Sequence, residues 1–69
     1  MKKLMKLEEV MHLTGLSKSS IYQFIADEKF PAQVKIGGRS VAWIQEEVID
    51  WIECQIEVRN SDIYAYGWV

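Results

Sequence analysis

The run "AQVKIGGRSVAW", residues 32–43, restricts the fold of this chain more than any other stretch. Val34 and Ile36 alternate with Gln33 and Lys35, Val41 and Trp43 alternate with Ser40 and Ala42, and Gly37-Gly38 lies between them. Period-two alternation on both sides of a glycine pair predicts a β-hairpin. A two-residue turn would pair Ile36 with Arg39, whereas a three-residue loop would pair Ile36 with Ser40. Either way Arg39 stands at or beside the tip, with Lys35 on the first strand. A hairpin alone is marginal in water, so it must lean on helices through Val34, Ile36, Val41 or Trp43.

Helical patterns flank it. Leu7, Val10, Leu13 and Leu16 recur at steps of three, and Glu8 and Glu9 fall in a first turn, where the helix dipole favours negative charge. This predicts a short helix over roughly residues 6–13, closed by Thr14 and Gly15. Ser17 is suited to cap the next helix by accepting from the backbone amide of Ser19 or Ser20. From there Ile21, Phe24 and Ile25 form one stripe, and Ser19, Tyr22, Gln23 and Ala26 the opposite side. Helix, short glycine-containing turn and second helix make a helix-turn-helix pattern. Phe30-Pro31 closes the second helix, because the residue before proline is driven out of the helical region.

Glu46 and Glu47 open a third helix whose apolar stripe is Val48, Trp51, Ile52 and Ile56. Asn60, Ser61 and Asp62 break it. The expected core is Leu7, Val10, Leu13, Leu16, Ile21, Phe24, Ile25, Val34, Ile36, Val41, Trp43, Val48, Trp51 and Ile52. Ile44 fits none of these patterns. A chain of 69 residues makes one domain with a thin margin of stability, which the three Trp, three Tyr and two Phe must widen. The domain is expected over residues 1–58, followed by an acidic, aromatic tail over residues 59–69.

The net charge of −2 is unevenly spread. Residues 1–44 carry Lys2, Lys3, Lys6, Lys18, Lys29, Lys35 and Arg39 against Glu8, Glu9, Asp27 and Glu28, a balance of +3. Residues 45–69 carry Glu46, Glu47, Asp50, Glu53, Glu57 and Asp62 against Arg59, a balance of −5. A polyanion responds to the local field of the face it meets, so the first part can still take nucleic acid. Both runs are also compatible with ordinary solvated surface. Small polar side chains on the outer face of the second helix would let its backbone approach a groove, with Ser19 and Gln23 reaching base edges or phosphates. The same serines would equally serve a capped surface helix.

Catalytic chemistry is hard to build from this sequence. The single His12 has no second histidine or nearby cysteine for a zinc site, and Cys54 has no histidine close in sequence. Gly37-Gly38 lies inside a hairpin and not ahead of a helix, so it does not form a phosphate loop. Glu46 and Glu47 are consecutive and diverge on a helix. No enzyme activity, cofactor, metal or small-molecule substrate is expected. Cys54 excludes an intramolecular disulfide and is expected to be buried or half-buried, in a cytoplasmic protein. Glu8, Glu9 and His12 interrupt the N-terminal pattern, so neither a signal peptide nor a membrane span is expected.

The stretch from Leu7 to Ile52 resembles the AlpA family of small phage and prophage transcriptional regulators, related to excisionases and to MerR-type DNA-binding domains. The resemblance rests on Val10, "LTGLSKSSIY" from Leu13 to Tyr22, Phe30-Pro31, "VKIGGR" from Val34 to Arg39, "VAW" ending at Trp43, and "EEVIDWI" from Glu46 to Ile52. It implies a mainly α, small winged helix-turn-helix of three helices plus a two-stranded hairpin wing. Residues 17–27 would be the recognition helix, residues 33–43 the wing, and the third helix the support.

The implied function is sequence-specific binding of double-stranded DNA to regulate prophage or integrated-element genes, typically an integrase or excisionase gene. An excisionase-like DNA-bending role and a protein-binding module are the alternatives. The expected DNA contacts are Lys18, Ser19, Ser20, Tyr22, Gln23, Lys35 and Arg39. This chain departs from the family at Gln23 and Ile44, where members often carry a basic residue. The tail residues Ile63, Tyr64, Tyr66 and Trp68 are expected to form a homodimer contact.

Overall fold

The structure, a computed structural model, describes the backbone of residues 2–65 and the side chains of residues 2–60. The chain runs β1 (Leu4–Met5), α1 (Leu7–Thr14), α2 (Lys18–Ala26), β2 (Val34–Gly37), β3 (Ser40–Ile44) and α3 (Gln45–Ala65). The strands form one antiparallel sheet in the order β1-β3-β2. The expected three helices and hairpin are present, and β1 adds a third strand.

α1 starts where the Glu9 carboxylate accepts from the Lys6 N–H at 2.9 Å. That is half of a capping box; a lysine side chain has no acceptor with which to return the bond. Gly15 closes the helix at φ 75°, its N–H donating to the Met11 carbonyl at 2.8 Å. The Thr14 hydroxyl donates to the Val10 carbonyl at 2.8 Å and accepts from the Leu16 N–H at 3.2 Å, which fixes the turn. Ser17 then caps α2, its hydroxyl oxygen accepting from the Ser20 N–H at 3.1 Å.

α2 ends at Ala26, four residues before Phe30. The Glu28 N–H donates to the Ile25 carbonyl at 3.0 Å and the Lys29 N–H to the Phe24 carbonyl at 2.7 Å, with Glu28 at φ 58°. These two bonds around a left-handed residue are a Schellman closure, so Pro31 is not what stops the helix. The segment that follows is tied down by tryptophans. Trp51 Nε1 donates to the Lys29 carbonyl at 2.7 Å, and Trp43 Nε1 to the Pro31 carbonyl at 3.0 Å. Phe30 is buried, edge-on to Trp51 with ring centroids 4.8 Å apart.

In the hairpin, Val34 faces Ala42, Lys35 faces Val41 and Gly37 faces Ser40. Neither expected register occurs, because Ile36 is an extra residue in a bulge and the turn is Gly38-Arg39. Gly38 takes φ 42° and Arg39 has no positive φ, the sign pattern of a type II′ turn with glycine first. Ile44, unplaced by pattern, ends β3 opposite Leu4, and Trp43 faces Met5. α3 follows without a loop, the Gln45 N–H donating to the Lys3 carbonyl at 2.8 Å.

The core consists of Met5, Val10, Ile21, Phe30, Trp43 and Val48, with Leu7, Leu16, Phe24, Ile25, Val41, Trp51 and Ile52 half-buried around it. Leu13, Val34 and Ile36 are exposed, contrary to expectation, while Met5, Phe30 and Ala42 are buried. The bulge removes Ile36 from the inward alternation, and Val34, on an edge strand, pairs with Ala42 and so faces the side opposite Val41 and Trp43. Cys54 is exposed rather than half-buried. α3 continues through Asn60, Ser61 and Asp62 to Ala65, so those residues do not break it. They are mediocre helix formers, but none has the backbone penalty of glycine or proline.

Candidate nucleic-acid interface

α1, the turn at Gly15 and α2 form the helix-turn-helix, and Ile21 anchors α2 in the core with no exposed surface. Phe24 and Ile25 pack on the same side, leaving Ser19 and Gln23 exposed on the other, with Lys18 exposed in the first turn. The outward position of Ser19 and Gln23 follows directly from the 3.6-residue period that turns Ile21 and Ile25 inward, whereas Lys18 lies near the inner stripe by period and is exposed at the start of the helix. The outer face is therefore short, polar and free of packing.

The remaining expected contacts divide. Ser20 is half-buried and works in the cap: its N–H bonds to Ser17, and its hydroxyl oxygen accepts from the Ser17 hydroxyl at 3.0 Å. Tyr22 lies on the outer stripe by sequence, yet it is half-buried, its ring edge-on to Trp43 with centroids 6.2 Å apart. Residue 22 sits one step from Ile21, at the flank of the helix, and the large ring reaches over to β3. Trp43 is fully buried, so this contact is where α2 meets the sheet from which the hairpin extends. Lys35, on β2, and Arg39, in the turn, are both exposed on that hairpin.

Two features of the site carry no signal in the sequence. The Gln23 amide Nε2 donates to both carboxylate oxygens of Asp27, at 3.3 and 3.4 Å. The exposed apolar Ile36 stands beside Lys35 and close to the turn that holds Arg39. A four-residue spacing permits the first, but many such pairs make no bond. The second depends on the bulge.

The acidic residues lie mainly on α3, where Glu46, Glu47, Asp50, Glu53 and Glu57 are all exposed. Lys2 and Glu46 approach to 3.7 Å, both strongly exposed, a contact worth little in water. Among the described residues no group of three or more His, Cys, Asp or Glu side chains could hold a metal ion. No described helix is long and apolar enough to cross a membrane. The expected dimer residues Ile63, Tyr64, Tyr66 and Trp68 have side chains outside the described residues.

The family described as "Prophage CP4-57 regulatory protein (AlpA)" matches residues 3–56. A protein of Enterobacteria phage P4, "Uncharacterized protein ORF88", is 46% identical over 56 residues, covering 81% of this chain and 64% of its own length. The chain thus spans a little under two-thirds of that phage protein. The "DNA-binding transcriptional activator AlpA" of Escherichia coli (strain K12) is 29% identical over 56 residues, covering 72% of this chain and 80% of its own length. No solved structure matches the chain at a significant level. The family match runs from before β1 into α3 and takes in the helix-turn-helix and the whole hairpin, so the chain belongs to the AlpA family of prophage regulatory proteins.

Proposed function

We propose that this protein is a DNA-binding transcriptional regulator of prophage or integrated-element genes, with an integrase or excisionase gene as its target. The observation that carries the reading is the unpacked polar face of α2, with Ser19 and Gln23 exposed while Ile21 opposite them is fully buried, and with Lys18 exposed in the first turn. Family membership and the name of the Escherichia coli relative support it. In this reading α2 enters the major groove, Ser19 and Gln23 address base edges, and Lys18 neutralises a phosphate at the helix start. Lys35 and Arg39 hold the backbone from the hairpin. Tyr22 fixes the angle between α2 and the hairpin, and Ser20 keeps the first turn of α2 intact. Footprinting on the DNA flanking the gene and on an adjacent integrase promoter tests the proposal. A short protected site at moderate salt is expected, and folded protein that protects nothing contradicts it.

Ile36 favours a second reading, an excisionase-like architectural role. An apolar side chain exposed beside Lys35 suits a wedge that unstacks a base step. Bending a short site costs about 1–6 kcal/mol, which added contacts must offset. Circularly permuted probes separate the two roles: one unbent complex fits the regulator, and a ladder of bent complexes fits the architectural protein.

A further inference from the structure

We propose that Asp27 is a positioning residue that sets the base preference of Gln23, orienting its amide to favour adenine over guanine. The inference rests on the DNA-binding reading given above. Gln23 and Asp27 hold one another twice. The Asp27 N–H donates to the Gln23 carbonyl at 3.0 Å as α2 closes, and the Gln23 Nε2 donates back to both Asp27 carboxylate oxygens.

An ionised carboxylate only accepts, so it draws the NH2 end of the amide toward itself and turns Oε1 away. One Nε2–H is committed, and the other remains available together with Oε1. That edge of one acceptor and one donor matches adenine, which offers its N6 amine as donor and N7 as acceptor. Guanine offers two acceptors, O6 and N7. To meet it with two donors the amide must give up its bond to Asp27. At 3.3–3.4 Å the bond is long, so it biases the amide without locking it.

The placement of Asp27 is otherwise unfavourable. Negative charge at the C-terminal end of a helix opposes the dipole, and on a face turned to DNA it opposes phosphates. Among the described residues no cation lies within ion-pair distance of it. Gln23 is the one described hydrogen-bond partner of its side chain.

The test is competition binding to duplexes carrying each base pair at every position of a selected site, with the wild type, Asp27→Ala, Asp27→Asn and Gln23→Ala. Folding is checked by circular dichroism. The wild type is expected to prefer adenine at one position. Asp27→Ala should lower the adenine-to-guanine ratio there about tenfold and leave the other positions unchanged. Asp27→Asn keeps an acceptor for the amide and should retain most of the preference, while binding random duplex more tightly because a negative charge is gone. Gln23→Ala should abolish the preference. An Asp27→Ala profile identical to the wild type at every position overturns this inference alone. Failure of the wild type to bind any duplex overturns the DNA-binding reading with it.

Discussion

Glu28 occupies the left-handed position that closes α2, at φ 58°, where most proteins place glycine. A left-handed conformation costs an L-residue about 1–2 kcal/mol, and glycine returns part of that gain through its freer unfolded chain, about 0.4–1 kcal/mol. Glu28→Gly is therefore expected to stabilise the domain by roughly 0.5–1 kcal/mol, read as a higher urea midpoint with unchanged slope. Gly15 is the converse case. A Cβ there would meet nothing within 4 Å, so the cost of Gly15→Ala is conformational and not steric. With φ at 75°, and with the stiffer unfolded chain of alanine offsetting part of the left-handed cost, that substitution should destabilise by about 0.5–1 kcal/mol. A midpoint unmoved by either substitution would contradict the caps described for α1 and α2.

At the level of elements, what the sequence made legible was what period and capping control. Ser17 as the cap of α2, Ile21 and Ile25 as its inner stripe, and Gly15 as the end of α1 follow from local spacing alone. β1 is two residues long and too short to show a period; only its partner, Ile44 on β3, left a trace, as an apolar residue without a place. The hairpin was legible as an element but not in register, because one extra residue at Ile36 moves the side chains beyond it to other faces. The packing of Tyr22 on Trp43 was not legible, because a helical period gives direction but not reach. The Tyr22 hydroxyl makes no described hydrogen bond, and the ring rests on Trp43. Tyr22→Phe should thus leave stability within about 0.5 kcal/mol of the wild type, whereas Tyr22→Ala, at a half-buried site, should cost about 1–3 kcal/mol and loosen α2 from the sheet. Hydrogen-exchange protection across α2 distinguishes them: retained in the first and lost in the second.

For the whole molecule, the proposed DNA binding has to reconcile a basic first part with an acidic α3. The net charge of −2 gives no general attraction to a polyanion, so the proposed binding rests on a small number of well-placed cations. Lys18→Ala and Arg39→Ala should each weaken binding to all sequences alike and reduce the salt slope by roughly one phosphate's worth of counterion release. Gln23→Ala should act differently, costing about 1–3 kcal/mol on the cognate site and much less on random DNA. The most direct test of α2 as the reading element is the cognate-to-random affinity ratio of Ser19→Ala and Gln23→Ala, measured across a salt series with folding verified. A ratio that collapses for Gln23→Ala while the salt slope holds is the predicted result. A ratio unchanged in both variants, with both folded, would mean that α2 does not read the DNA.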